Sequence, residues 1–406
     1  MADKYAHEAL AYYQKSQNKP GIAKSYTALG DIYLNNNLLE DALLYYEQAL
    51  KMQKDIGVVE DLAYLYNSLG IIYYYQNDYK KAISYHEVAL KTARGKSVIE
   101  EVNALNSLGQ CYRRLGQPDT AIALFRQSLA LLENKKEDRL LARTYQHIGL
   151  VEFERGNYEQ AVAAYQQAVS ITQKMNDTRG RAIALNNISN VYYSWGKFQL
   201  AASFYQQALQ VFENIGFANG IASTYANLGS TFIKLNDFST AREYLEKALD
   251  ERLKLGNKRD IANAYLSLAN LFSQINNAQN VKTYGDRNWE KIILKYKTSE
   301  QILQQYKEAL DYNQKALQIG RELGEKRIIA SCLNNIGTIY SLAGIADKAL
   351  EYYEQALKIN QEIDNQADVV VNLLAIGIIH SFKGNYVQAE SYLKESLSLA
   401  RRLQTT

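Results

Sequence analysis

Few groups in this 406-residue sequence could do bond-making chemistry. Histidines stand at His7, His86, His147 and His380, and cysteines at Cys111 and Cys332. A helix that holds a metal presents two ligands about one turn apart on the same face. No two of these histidines have that spacing. Cys111 and His147 invite comparison with a thiol–imidazole pair, in which the ring takes the thiol proton. They fall about one helical turn out of register, and packing or rim roles suit both better. No GxGxxG, GxxxxGK[ST] or GxSxG stretch occurs, so phosphate cradles and nucleophile elbows lack their usual marks. The sequence therefore predicts no catalytic residue, no metal site and no cofactor. Carboxamides remain, and they recur. A carboxamide both donates and accepts, so a row of them suits an extended peptide backbone.

The recurrence sets the elements that carry those side chains. A Leu-Gly or Ile-Gly pair returns at Gly30, Gly70, Gly109, Gly149, Gly229, Gly337 and Gly377, with Ser189 and Ala269 in the same register. The steps are 39 or 40 residues, apart from one of 68 between Ala269 and Gly337. Three residues after the marker an aromatic is usual, as at Tyr33, Tyr73, Tyr112 and Phe232. Alanine follows at twelve, as at Ala42, Ala82, Ala121 and Ala161, and Ala or Ser at nineteen. Small residues let two helices approach to about 8–10 Å, and aromatics fill the space beside them. Seven residues after each marker stands Gly or Asn, from Asn37 and Asn77 to Gly344 and Gly384. These two types best tolerate the left-handed conformation just past a helix end. Each repeat thus reads as helix A, a tight stop and helix B. Pro118 suits the first turn of a B helix, and Gly57, Gly216, Gly256 and Gly324 mark turns after B helices.

Helix pairs with LG, then Tyr, then Ala and Ala at these offsets resemble tetratricopeptide repeats. The 40-residue period is similar to the long-repeat subgroup of kinesin light chains, the spindle adaptor Pins and bacterial signalling proteins. LNNIGTIYSLAGIADKALEYYEQAL reads most like the bacterial type. The resemblance implies an all-α fold, a right-handed α-solenoid of helix-turn-helix repeats, and A helices lining a concave groove. It places the residues three before and one after the marker in that groove. The peptide-binding set expected from this is Asn67, Asn106, Gln110, Gln146, Asn186, Asn190, Asn270 and Asn334. Arg113 and Arg143, with Arg114 beside the first, join it as a cationic spot for a carboxylate or an acidic side chain. Tyr64, Tyr74 and Tyr75 could add an aromatic platform beside Asn67. The function expected is a non-enzymatic scaffold that binds a protein or peptide partner.

The ruler slips in NNAQNVKTYGDRNWEKIILKYKTSE, residues 276–300. Asn276 keeps the stop register, so helix A is expected to end there. Two repeats would need 80 residues where the chain has 68. The expectation is an irregular shortened repeat at 277–300, joining an array at 1–276 to one at 301–406. Its short helices would lie before Gly285 and from Asp286 to Lys297; one unbroken helix from Ala278 to Lys297 is the rival. Trp289, Ile292, Ile293 and Tyr296 form a stripe for packing, and Thr298 with Gln301 reads as a capping box.

Composition narrows the partners. Lys plus Arg total 46 and Asp plus Glu 43, which leaves no basic excess for nucleic acid. The greasiest run, Val369 to Ile379, is too short for a membrane span. Two distant cysteines do not make a disulfide framework and suggest a reducing, cytoplasmic setting. Ala9-Leu10 align with Ala49-Leu50, so the chain is read as opening inside a B helix, and neither end carries a polar cap. This leaves self-association through the solenoid ends open. It also leaves an alternative function, the sensory or autoinhibitory region of a larger histidine kinase or caspase-like protease.

Overall fold

The computed structural model describes residues 2–284 and 289–404. The chain forms two compact units, Met1–Gly196 and Lys197–Thr406. The first holds α1 (Ala2–Lys15), α2 (Lys19–Asn35), α3 (Leu39–Ile56), α4 (Val59–Tyr75), α5 (Tyr79–Ala93), α6 (Val98–Arg114), α7 (Pro118–Leu132), α8 (Asp138–Glu154), α9 (Tyr158–Lys174) and α10 (Thr178–Ser194). The second holds α11 (Phe198–Asn214), α12 (Ala218–Lys234), α13 (Phe238–Leu255), α14 (Lys258–Tyr284), α15 (Trp289–Tyr296), α16 (Ser299–Gln305), α17 (Lys307–Leu323), α18 (Lys326–Leu342), α19 (Ala346–Glu362), α20 (Gln366–Phe382) and α21 (Tyr386–Gln404). Each unit is an all-α solenoid of helix pairs, and the described residues contain no strand.

The marker glycine has a steric cause. A Cβ on Gly109 of α6 would lie 2.3 Å from the Phe125 ring of α7, and one on Gly30 would lie 2.6 Å from Tyr46. Each A helix is thus pressed onto a large side chain sixteen residues further on. The aromatic three after the marker stacks on a ring twelve residues later. Centroids are 5.2 Å apart for Tyr33 and Tyr45, 5.3 Å for Tyr73 and Tyr85, and 5.6 Å for Phe232 and Tyr244. Such contacts contribute roughly 0.5–1.5 kcal/mol each beyond burial. Repeated between neighbours, they make stability local and additive along a solenoid.

The stops follow the register at most positions. Asn37, Asn77, Gly116, Gly156 and Gly196 have positive φ in the first unit, as do Asn236, Gly344 and Gly384 in the second. The turns after B helices at Gly57, Gly216, Gly256 and Gly324 do too. Pro118 opens α7.

Asn276 is a correction. Helix α14 runs through it to Tyr284, so the expected stop is not made there. Phe272 of α14 stacks on Tyr312 of α17 at 5.7 Å, the same offset pair seen in regular repeats once 28 residues are set aside. Ala309 and Ala316 then take the B-helix alanine positions of the repeat marked by Ala269. The 68-residue step is therefore one 40-residue repeat with 28 further residues between its helices, in place of two repeats short of twelve. Tyr306 explains why the helix continues. Its hydroxyl donates to Asn277 Oδ1 at 2.5 Å and accepts from Asn280 Nδ2 at 3.1 Å, while Asn276 Nδ2 donates to the Gln305 carbonyl at 2.9 Å. The Thr298 capping box forms as expected. Ile293 is buried among Leu268, Ile302, Tyr306 and Ile339, whereas Tyr296 is exposed. The expectation for residues 285–288, and for the Trp289 and Ile292 side chains, lies outside the described residues.

Candidate functional site

In the first unit the A helices α2, α4, α6 and α8 share a face that carries three clefts. One of about 350 Å³ is lined by Asn67, Tyr74, Asn103, Asn106, Arg143 and His147, among others. A second, of about 330 Å³, shares Asn67, Asn103 and Arg143 with it and reaches Asp31, Tyr46 and Tyr64. A third, of about 160 Å³, takes up Asp31 and Tyr64 again and adds Lys24 and Asp61. The shared residues make the clefts a run along the helix face. Tyr74 and Tyr75 line it as an aromatic edge pair. Tyr64 is engaged elsewhere: it and Tyr46 each donate to Asp31 Oδ1 at 2.6 Å. Burial and this carboxylate raise both phenol pKa values.

The expected amides differ in burial and in the partners that hold them. Asn67 is 7% exposed and accepts at Oδ1 from His86 Nδ1 at 2.8 Å. Asn106 is 3% exposed and donates to Thr144 Oγ1 at 2.9 Å, and Thr144 donates on to the Leu140 carbonyl. Gln110 meets His147 Nδ1 at 2.7 Å and accepts from Arg113 Nε at 2.9 Å. Gln146, Asn186 and Asn190 are half-buried on α8 and α10, and Asn186 Oδ1 is buried without a hydrogen-bond partner. In the second unit Asn270 is exposed on α14. Asn334 accepts from Asn372, which accepts from Asn360 at 2.9 Å; a buried amide relay thus fixes one groove amide.

The arginines do not act as one spot. Arg113 is paired with Glu154, and Arg114 reaches the Tyr79 hydroxyl at 3.1 Å. Arg143 lies open in the clefts and donates to Asn103. Asn103 was not expected, although it stands six before its marker as Arg143 does; that shared offset was the available signal.

Histidine and cysteine serve packing. His86 takes the ring position beneath Gly70, and burial lowers its pKa to about 3. His147 stacks on Phe125 at 5.4 Å. Burial, then Arg143 and Arg113, lower it to about 3 as well. Cys111 is buried with Tyr73 and Ala82, and burial pushes its thiol up to about 12, far from the thiolate a nucleophile needs. Among the described residues no group of three or more His, Cys, Asp or Glu could hold a metal ion, and no helix is long and apolar enough to cross a membrane.

Models of the tetratricopeptide repeat match residues 100–174, 140–214, 180–254, 292–362 and 346–402, and related models of the same repeat match 23–56 and 62–95. No match is found among curated proteins. Among solved structures the chain is similar to a signal transduction ATPase (STAND) with a tetratricopeptide repeat sensor from Pyrococcus horikoshii. The TM-score is 0.60 at 15% identity, covering 87% of this chain and 53% of that one. It is also similar to the apo quorum sensor NprR from B. thuringiensis, with TM-score 0.57 at 13% identity over 91% and 99% of the two chains. A Rap protein complexed with competence and sporulation factor gives 0.52 at 13% over 94% and 99%. At these identities the likeness is one of fold. The family models cover well over half of the sequence, and the chain belongs to the tetratricopeptide repeat family, a scaffold for protein interactions.

Proposed function

We propose that this chain is a non-catalytic interaction module that holds a peptide, or an extended segment of a partner protein, along the A-helix face of its first unit. The observation that carries this reading is the run of three clefts sharing Asn67, Asn103, Arg143, Asp31 and Tyr64. An extended chain fits a long shallow track better than a small molecule, which prefers one enclosed apolar pocket. Asn103 and Gln110, half-buried on the track, offer donors and acceptors to a main chain, and the tyrosines offer flat apolar area. Binding is then complementarity of shape and hydrogen bonds, with no bond made or broken. The Rap protein solved with its factor, and the quorum sensor, support the reading at the level of fold.

The test plugs the track. Ser107 is half-buried on α6 and lines the 350 Å³ cleft. The variant Ser107→Trp fills it, while Gln127→Ala on the exposed side of α7 is the control. A partner captured on the wild type should bind the plugged variant at least roughly tenfold more weakly and the control equally well. Equal binding to all three would refute the reading. Asn106→Ala is a poorer probe, because that amide is buried and its loss disturbs Thr144.

A second reading takes the array as the sensor region of a larger signalling protein. It is supported by the Pyrococcus horikoshii ATPase with a tetratricopeptide repeat sensor, of which this chain covers 53%. A catalytic or ATPase signature in the same reading frame would decide for it.

A further inference from the structure

Arg143 is singled out by what does not neutralise it. Of the three arginines expected to act together, Arg113 is held by Glu154 and Gln110, and Arg114 lies 5.7 Å from the Tyr79 ring centroid. Arg143 donates to the neutral Asn103 amide, and among the described residues no carboxylate lies within ion-pair distance of it. Glu100 is the acid that feels its field; that carboxyl is raised by burial, and its Oε2 has no hydrogen-bond partner. Arg143 also has a distinctive place. It lines both the 350 Å³ cleft toward His147 and the 330 Å³ cleft toward Asp31.

Resting on the peptide-binding reading above, we propose that Arg143 is the charge-reading subsite of this track, and that its occupant is a single Asp or Glu side chain within an extended segment. A free chain terminus would stop at Arg143 and leave one cleft empty. A side chain lets the segment run on through both. A guanidinium favours a carboxylate through paired N–H donors. Beyond it the wall turns net acidic, since Asp31 and Asp61 line the third cleft against the single cation Lys24. A segment with many acids is repelled there, so the ligand carries one acid followed, toward α2, by neutral or basic residues.

The probe is a bead-bound library of random dodecapeptides, made in free-acid and amidated forms and screened with the labelled full chain. The expected result is enrichment of Asp or Glu at one position by roughly tenfold, the scale of one charge-assisted contact. It should be the same in both library forms, without runs of acids. Arg143→Gln should bring acid content back to that of the input with an unchanged melting temperature. Arg143→Lys should retain part of the enrichment, and Glu100→Gln should increase it. Selection of free-acid beads alone, selection of acid runs, or the same selection by Arg143→Gln would overturn the proposal while leaving a peptide track in place. Retention of no peptide in any form would overturn both it and the reading on which it rests.

Discussion

The two units use one helix-pair plan and depart from it in different places. In the first, every expected A-to-B stop is made, at Asn37, Asn77, Gly116, Gly156 and Gly196. Its irregularity is chemical: His86 and His147, whose pKa values burial lowers, touch the groove amides Asn67 and Gln110, whereas His380 of the second unit stacks on Tyr392 in the regular aromatic position. In the second, one repeat is opened by 28 residues, and α14 runs past its stop. The contrast teaches that a permissive residue does not by itself end a helix. Asn236 turns and Asp237 then caps α13, accepting from Thr240 N at 3.1 Å, while Asn37 turns with Leu38 behind it and no side-chain cap. What sets Asn276 apart is the set of side chains around it. Asn277 and Asn280 bond Tyr306, and Ala278 favours continued helix.

If that account holds, the joint depends on Tyr306 more than on any residue near the missed stop. Tyr306 is 1% exposed and packs with Leu268, Phe272 and Ile339. Tyr306→Ala should destabilise the second unit by about 3–5 kcal/mol, the range for a buried ring. Hydrogen exchange should show protection lost across residues 258–345 and kept across 59–175. Equal loss in both regions would break the contrast between the units.

Much of this fold was legible in the sequence, for a physical reason. The packing rules act over short offsets: three for the stacking aromatic, seven for the stop, twelve and nineteen for the small residues. Each needs only one helix and its neighbour. Asn276 met the same rule by type, yet its fate was set by Tyr306, thirty residues away. The groove amides show the same limit. Their positions could be counted, but whether each amide was already engaged depended on His86, Thr144 or Arg113. Arg143 and Arg113 are alike in type, and Glu154, forty-one residues from Arg113, pairs with only one of them.

Acid should separate the units next. Unfolded imidazoles take up protons below about pH 6.5, whereas His86 and His147 stay neutral in the fold down to about pH 3. The unfolded state therefore binds more protons in that window. Stability is whole above pH 6.5 and falls by about 1.4 kcal/mol per pH unit for His86 as the pH drops toward 3. His147 adds a smaller loss, since its edge reaches the cleft. Urea midpoints of the first unit, followed by exchange at pH 7 and pH 5, should drop accordingly. His86→Phe, which supplies the ring type of Phe125, should flatten the slope. At pH 7 it should cost about 1–3 kcal/mol, because Asn67 Oδ1 loses its donor. An unchanged slope would remove buried histidine from the account.

The smallest effect tests the comparison most directly, because one substitution is made at equivalent positions. Asn236 has φ of 58° and is exposed, so Asn236→Gly relieves a left-handed side chain at little entropic cost. Its stability should stay level or rise by a few tenths of a kcal/mol. Asn276 lies inside α14 and donates to the Gln305 carbonyl. Asn276→Gly puts glycine in a helix interior and removes that bond, which should cost about 1–2 kcal/mol. Thermal melts of the two variants side by side give the answer. Opposite signs support a joint held shut from the Tyr306 side. Equal, near-zero changes would mean that Asn276 is a turn residue after all and that the helix through it is not the stable state.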